Sequence, residues 1–152
     1  MDEERVPRDG AEQDGMMVYI DPNVIHSMAA VSAKKRAGLQ ELQSAAESGD
    51  LEAEYRLGIC YYEGSGGAEQ NDRQAFYWLD QAAEGGHIAA QYGAGLCWAG
   101  GVGTRQDFDR AAELYLAAAE QEYVPAICEL GLCYEMGRGV PQDKDKAMEL
   151  YR

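Results

Sequence analysis

The chain is 152 residues long, 46% hydrophobic, and carries a formal net charge of −14. That length and apolar content suit one domain with a continuous core, and no stretch nears the ~18 apolar residues of a membrane-spanning helix. The excess of acid argues against nucleic acid or an anionic membrane as partner, since basic patches hold both, and is compatible with a basic partner.

Residues 1–21 hold seven acids against two bases, without apolar periodicity. A disordered acidic tail is expected over residues 1–20, although Met16-Met-Val-Tyr-Ile20 is a short apolar run. The start, Met1-Asp-Glu-Glu-Arg5, lacks the basic-then-apolar order of a signal peptide, so a cytoplasmic chain is the simplest expectation. Asp21-Pro22 reads as a helix N-cap followed by proline at the first helical position. Residues 21–50 are expected to form an N-terminal helical segment. Its Ala45-Ala46 and Gly49 match Ala82-Ala83 and Gly86 at a shift of 37, so this segment is expected to cap a repeat array.

From residue 51 one pattern is written three times. Ala53-Glu-Tyr-Arg-Leu-Gly-Ile-Cys-Tyr-Tyr-Glu-Gly-Ser-Gly66 returns from Ala90 to Gly103 and again from Ala126 to Gly139. The shift is 37 and then 36, with the extra residue in the loop between Gly66 and Asn71. Copies are expected at about 53–88, 89–124 and 125–152, the last incomplete. Each copy reads as two helices. The first places Tyr55, Ile59 and Tyr62 on one face at helical spacing and stops at glycines. The second starts after Asn71, Asp107 or Asp143, all good N-caps. Gly58, Gly95 and Gly131 fall inside the first helices, which predicts a close crossing, with Tyr61, Trp98 and Tyr134 filling the space beside it.

The third copy carries Leu130-Gly131…Tyr134…Gly137-Arg-Gly139-Val140-Pro-Gln-Asp143…Lys146-Ala147. With Ala-x-x-x at its head, this pattern resembles the Sel-one-like repeat, a relative of the tetratricopeptide repeat with a longer loop between its helices. The resemblance covers roughly residues 37–152. Ala94 replaces the leucine in copy two, and Gly67 and Asn71 replace the valine and aspartate in copy one. The resemblance implies an all-α solenoid of antiparallel helix pairs, used for protein–protein contact and often bacterial.

Catalytic and metal chemistry find little support in the residues. His26 and His87 are the only histidines. Asp107-x-Asp109 and Asp143-x-Asp145 lack the later glycine and glutamate of a calcium loop, and helix capping accounts for them. Ser32-x-x-Lys35 matches the nucleophile motif of penicillin-recognising enzymes, and some Sel-one-like proteins have been described as β-lactamases. The companion Ser-Asp-Asn and Lys-Thr-Gly motifs are absent, so a hydrolase stands only as an alternative. Cys60, Cys97 and Cys133 occupy one place in each copy. Stacked copies would hold them ~10 Å apart, too far for a disulfide, and free buried thiols are expected. Some relatives are secreted and disulfide-bridged within each copy, so a secreted, host-directed protein is a further alternative.

The expected function is therefore a scaffold or adaptor without catalysis, cofactor or metal. It would bind a peptide or protein segment on the concave, first-helix face. The residues expected there are Tyr55, Ile59, Tyr62 and Glu63 in copy one, Tyr92 and Leu96 in copy two, and Leu132, Glu135 and Met136 in copy three. At the C-terminal end Leu132, Tyr134, Leu150 and Tyr151 lack a following helix, so the expectation is a fragment of a longer array or, as the alternative, self-association through that end.

Overall fold

The computed structural model describes residues 21–152. The expected disordered tail, the Met16–Ile20 run, and the side chains of His26, Ser32 and Lys35 lie outside the described residues. The chain divides into two compact units, Met1–Lys34 and Lys35–Arg152. In the first, helix α1 (Pro22–Glu47) begins at an Asp21 cap, whose carboxylate accepts from the Asn23 N–H at 2.8 Å. Its residues from Lys35 onward belong to the second unit.

The second unit continues as α2 (Leu51–Glu63), α3 (Asp72–Glu84), α4 (Ile88–Gly100), α5 (Phe108–Ala119), α6 (Val124–Met136) and α7 (Lys144–Leu150). There is no strand among the described residues. From α2 onward each helix packs on the next one in sequence. This is the all-α solenoid arrangement, in which each element buries its apolar stripe against its neighbours alone.

Local chemistry sets the helix boundaries. The side chains of Asp50, Asn71, Asp107 and Asp143 accept the backbone N–H three residues on, at 3.0–3.2 Å. His87 does the same through Nδ1 at 3.1 Å. Tyr123 makes no side-chain cap, but Pro125 follows in the first turn. The first helices end at Gly64, Gly101 and Gly137, with φ of 71°, 69° and 68°. In each, the glycine N–H donates to the cysteine carbonyl four residues back. The long loop is then closed by one repeated bond. The N–H of Asn71, Asp107 or Asp143 donates to the carbonyl of Tyr61, Trp98 or Tyr134 at 2.8 Å.

Three apolar clusters run along the second unit. Ala46, Ala53, Leu57 and Trp78 form the first, with Leu39 and Leu42 of α1 packed against it. Leu79, Ala82, Ala90, Ala94 and Cys97 belong to the second. Ala111, Ala112, Tyr115, Leu130 and Cys133 form the third. Small alanines dominate because helices that cross closely leave room for little more than a methyl group between them. The crossing glycines confirm this, but the residue that fills the space differs from expectation. A Cβ on Gly58 would lie 2.9 Å from Leu79, one on Gly95 2.7 Å from Tyr115, and one on Gly131 2.6 Å from Tyr151. The second helix of the same copy supplies the filler, not Tyr61, Trp98 or Tyr134.

Candidate protein-binding face

The expected face separates into two groups. Tyr55, Ile59 and Tyr92 are half-buried and pack against the core clusters. Tyr55 stacks on the His87 ring at 4.6 Å, and Tyr92 lies against Tyr115 and Tyr123 at 6.1 and 5.6 Å. His87 also approaches Glu52 at 2.8 Å through Nε2 while capping α4 through Nδ1, so it is a packing and turn residue. Tyr62, Glu63, Leu96, Leu132, Glu135 and Met136 are exposed. Glu135 accepts a hydrogen bond from the Tyr151 hydroxyl at 3.0 Å. Leu96 and Leu132 stand at equivalent positions, 40% and 43% exposed, while their copy-one counterpart Ile59 is half-buried; Tyr62 and Met136 are further exposed apolar side chains of the first helices.

A groove of about 280 Å³ opens beside Tyr62 and Leu96. Ile59, Tyr62, Leu96 and Val102 line it, with the buried Leu79 and Cys97 beneath. Gly93 lines it too. Its counterparts are Arg56 and Glu129, so copy two lacks a long side chain where its neighbours have one. Sequence reasoning missed Val102 and Gly93. The signal available was the glycine at 93, the one copy with no side chain there.

The pKa shifts of Cys97, Asp107 and Glu54 trace to burial and helix capping. All four cysteines are free thiols. Cys97 and Cys133 are buried as expected and Cys60 is half-buried, while Cys128 is exposed on α6. Burial, then the nearby Asp72 and Asp80, push the Cys97 thiol up to about 11, which removes it as a nucleophile at neutral pH. The amide N–H of Arg110, then the Arg105 guanidinium, hold the Asp107 carboxyl below its usual range, as a cap should be. Burial, then Asp50, raise Glu54, whose Oε1 is buried without a partner. Among the described residues, no three metal-ligating side chains cluster and no helix is long and apolar enough to cross a membrane.

The Sel1 repeat matches residues 51–87, 88–123 and 124–152, which is most of the chain and in register with the three helix pairs. The chain belongs to the Sel1-repeat family. Sel1-repeat proteins are generally protein-interaction scaffolds, and their fold is typically non-catalytic. Among solved structures, a Sel1 repeat protein from Oxalobacter formigenes is 34% identical over 74% of this chain and 46% of its own, with a TM-score of 0.70. A protective antigen of uropathogenic Escherichia coli strains, displaying an SLR fold, is 35% identical over 75% of this chain and 24% of its own, with a TM-score of 0.71. The chain thus spans less than half the length of both. Cysteine rich protein B of Helicobacter pylori shares the fold at 20% identity and a TM-score of 0.58, over 80% of this chain and 86% of its own. No curated protein matches the chain.

Proposed function

We propose that this Sel1-repeat chain is a non-catalytic scaffold or adaptor that holds a peptide or protein segment along its concave, first-helix face. The exposure of the apolar Tyr62, Leu96, Leu132 and Met136 on the first helices carries the reading. Leu96 and Leu132 are left in water at one equivalent place in two successive repeats, and large apolar side chains so placed are a contact surface more readily than an accident of packing. The free thiols suit a reducing, cytoplasmic compartment. Tyr55 and Tyr92 are poor probes of this face, because their removal would damage the core. A Leu96→Asp/Leu132→Asp double variant is the better test. Proteins retained by the wild type in a pull-down are lost by the double variant, while its melting temperature stays near that of the wild type. Recovery of the same proteins by both would refute the face. Met148 and Tyr151, 65% and 46% exposed, support a second contact, self-association through the α7 end. Sedimentation at low and high concentration tests it, and a monomer throughout removes it.

A further inference from the structure

We infer that the groove between the first helices of repeats one and two takes one aliphatic side chain from an extended segment carrying lysine or arginine on both sides of it. This rests on the scaffold reading and adds the chemistry of the partner.

Shape supports the aliphatic anchor. The groove is walled by Ile59, Tyr62, Leu96 and Val102 and floored by buried apolar groups, and its volume is about 280 Å³. A cavity of roughly 150 Å³ already takes benzene, so one leucine-sized group fits. The opening exists because Gly93 has no side chain. A Cβ there would meet Leu79 at 3.4 Å, an ordinary contact, so a longer side chain would enter the groove rather than break the fold.

Charge supports the basic flanks. The first helices α2, α4 and α6 carry Glu52, Glu54, Glu63, Glu129 and Glu135 against a single base, Arg56. Arg56 lines a different cleft, with Leu39, Leu42 and Cys60. Four other bases are laid on aromatic rings. Arg105 and Arg110 lie over Trp98, Arg138 over Phe108 and Lys146 over Tyr134, at 5.0–5.7 Å. The negative charges of Asp72 and Asp80 are felt at the groove floor, where after burial they help to raise the Cys97 thiol. Among the described residues the ion pairs are His87–Glu52 and Arg105–Asp107, so the exposed Glu63, next in the chain to the groove-wall Tyr62, is held by neither. An incoming cation beside the anchor is attracted, and an incoming acid is repelled.

The test uses the full chain and three short fluorescein-labelled peptides. One has leucine between two pairs of lysines, one has serine in place of the leucine, and one has glutamates in place of the lysines. The lysine–leucine peptide binds and shifts the amide resonances around Ile59, Leu96 and Val102. The serine peptide binds about tenfold more weakly, the loss expected for an unburied leucine. The glutamate peptide does not bind. Raising salt from about 0.1 M to about 1 M, which shortens the screening length from about 10 Å to about 3 Å, weakens the first peptide. Gly93→Leu fills the groove and abolishes binding without loss of helix content. Failure of the lysine–leucine peptide to bind overturns the proposal, as does binding that ignores Gly93→Leu. If leucine peptides enter the groove whatever their flanking charge, the basic partner is wrong and the scaffold reading stands. If the Leu96→Asp/Leu132→Asp variant keeps every captured protein, the scaffold reading itself fails.

Discussion

Tyr115 and Tyr151 occupy the same place in repeats two and three, and each lays its ring edge against the crossing glycine of its own copy. Their surroundings differ. Tyr115 is 2% exposed, covered by α6, and its hydroxyl is buried without a partner. Tyr151 is 46% exposed and donates its hydroxyl to Glu135. Burial comes first among the causes that push both phenols up, but only for Tyr151 does a hydrogen bond contribute as well. One sequence pattern therefore makes one contact, and what lies over that contact sets its worth. In a solenoid the neighbour, not the repeat, supplies much of the stability.

The largest test of this contrast is truncation. Tyr115→Ala costs about 3–5 kcal/mol, read from the urea midpoint, because it empties a filled core. Tyr151→Ala costs less than about 1 kcal/mol, as at other half-exposed positions. Equal losses would mean that the covering helix contributes little. Alanine at the facing glycine gives the next effect. Gly95→Ala drives a methyl group into the pinned Tyr115 ring and costs a net ~1–2 kcal/mol, even after the helix-propensity gain. At Gly131 the Tyr151 ring can swing toward water, so Gly131→Ala is neutral or slightly stabilising by the same urea midpoint.

Two smaller tests compare copies elsewhere. Glu54 is buried with an unpartnered oxygen, while its counterpart Gln91 accepts from Gln121 and its counterpart Ile127 is apolar. Glu54→Gln gains about 1 kcal/mol at pH 7 by removing a buried charge. The folded pKa of Glu54 lies above the ordinary 4.5, so the wild type loses stability as pH rises through that folded value. The gain from Glu54→Gln is thus present at neutral pH and fades below pH 4.5; a gain that persists in acid would point to packing instead. Glu122 has a left-handed φ of 62° where the turns of the earlier helix pairs hold Gly49 and Gly86. Glu122→Gly relieves that strain and adds about 0.5–1 kcal/mol in chemical denaturation.

Much of the fold was legible because its signals are local. A cap is chemistry between residues three or four apart, so Asn71, Asp107 and Asp143 could be read as helix starts, and Gly64, Gly101 and Gly137 as helix stops. The identity of the group facing each crossing glycine was not legible. Leu79, Tyr115 and Tyr151 stand some twenty residues away on another helix, and periodicity within one helix cannot choose among faces of the next. The binding face was half legible for the same reason. Helical spacing put Tyr55, Ile59 and Tyr62 together, but the turn residues His87 and Tyr123 then covered the tyrosines at 55 and 92 and left Tyr62 in water.

The sequence by itself determined the period of the array, the ends of its helices and the left-handed glycines that stop the first helices, since each depends on backbone conformation over a few residues. Tertiary structure alone decided which apolar side chains are core and which are surface. That choice is made by the neighbouring repeat, and it is what leaves Leu96 and Leu132 exposed beside the groove at Gly93 while Tyr115, written in the same pattern as Tyr151, disappears into the core.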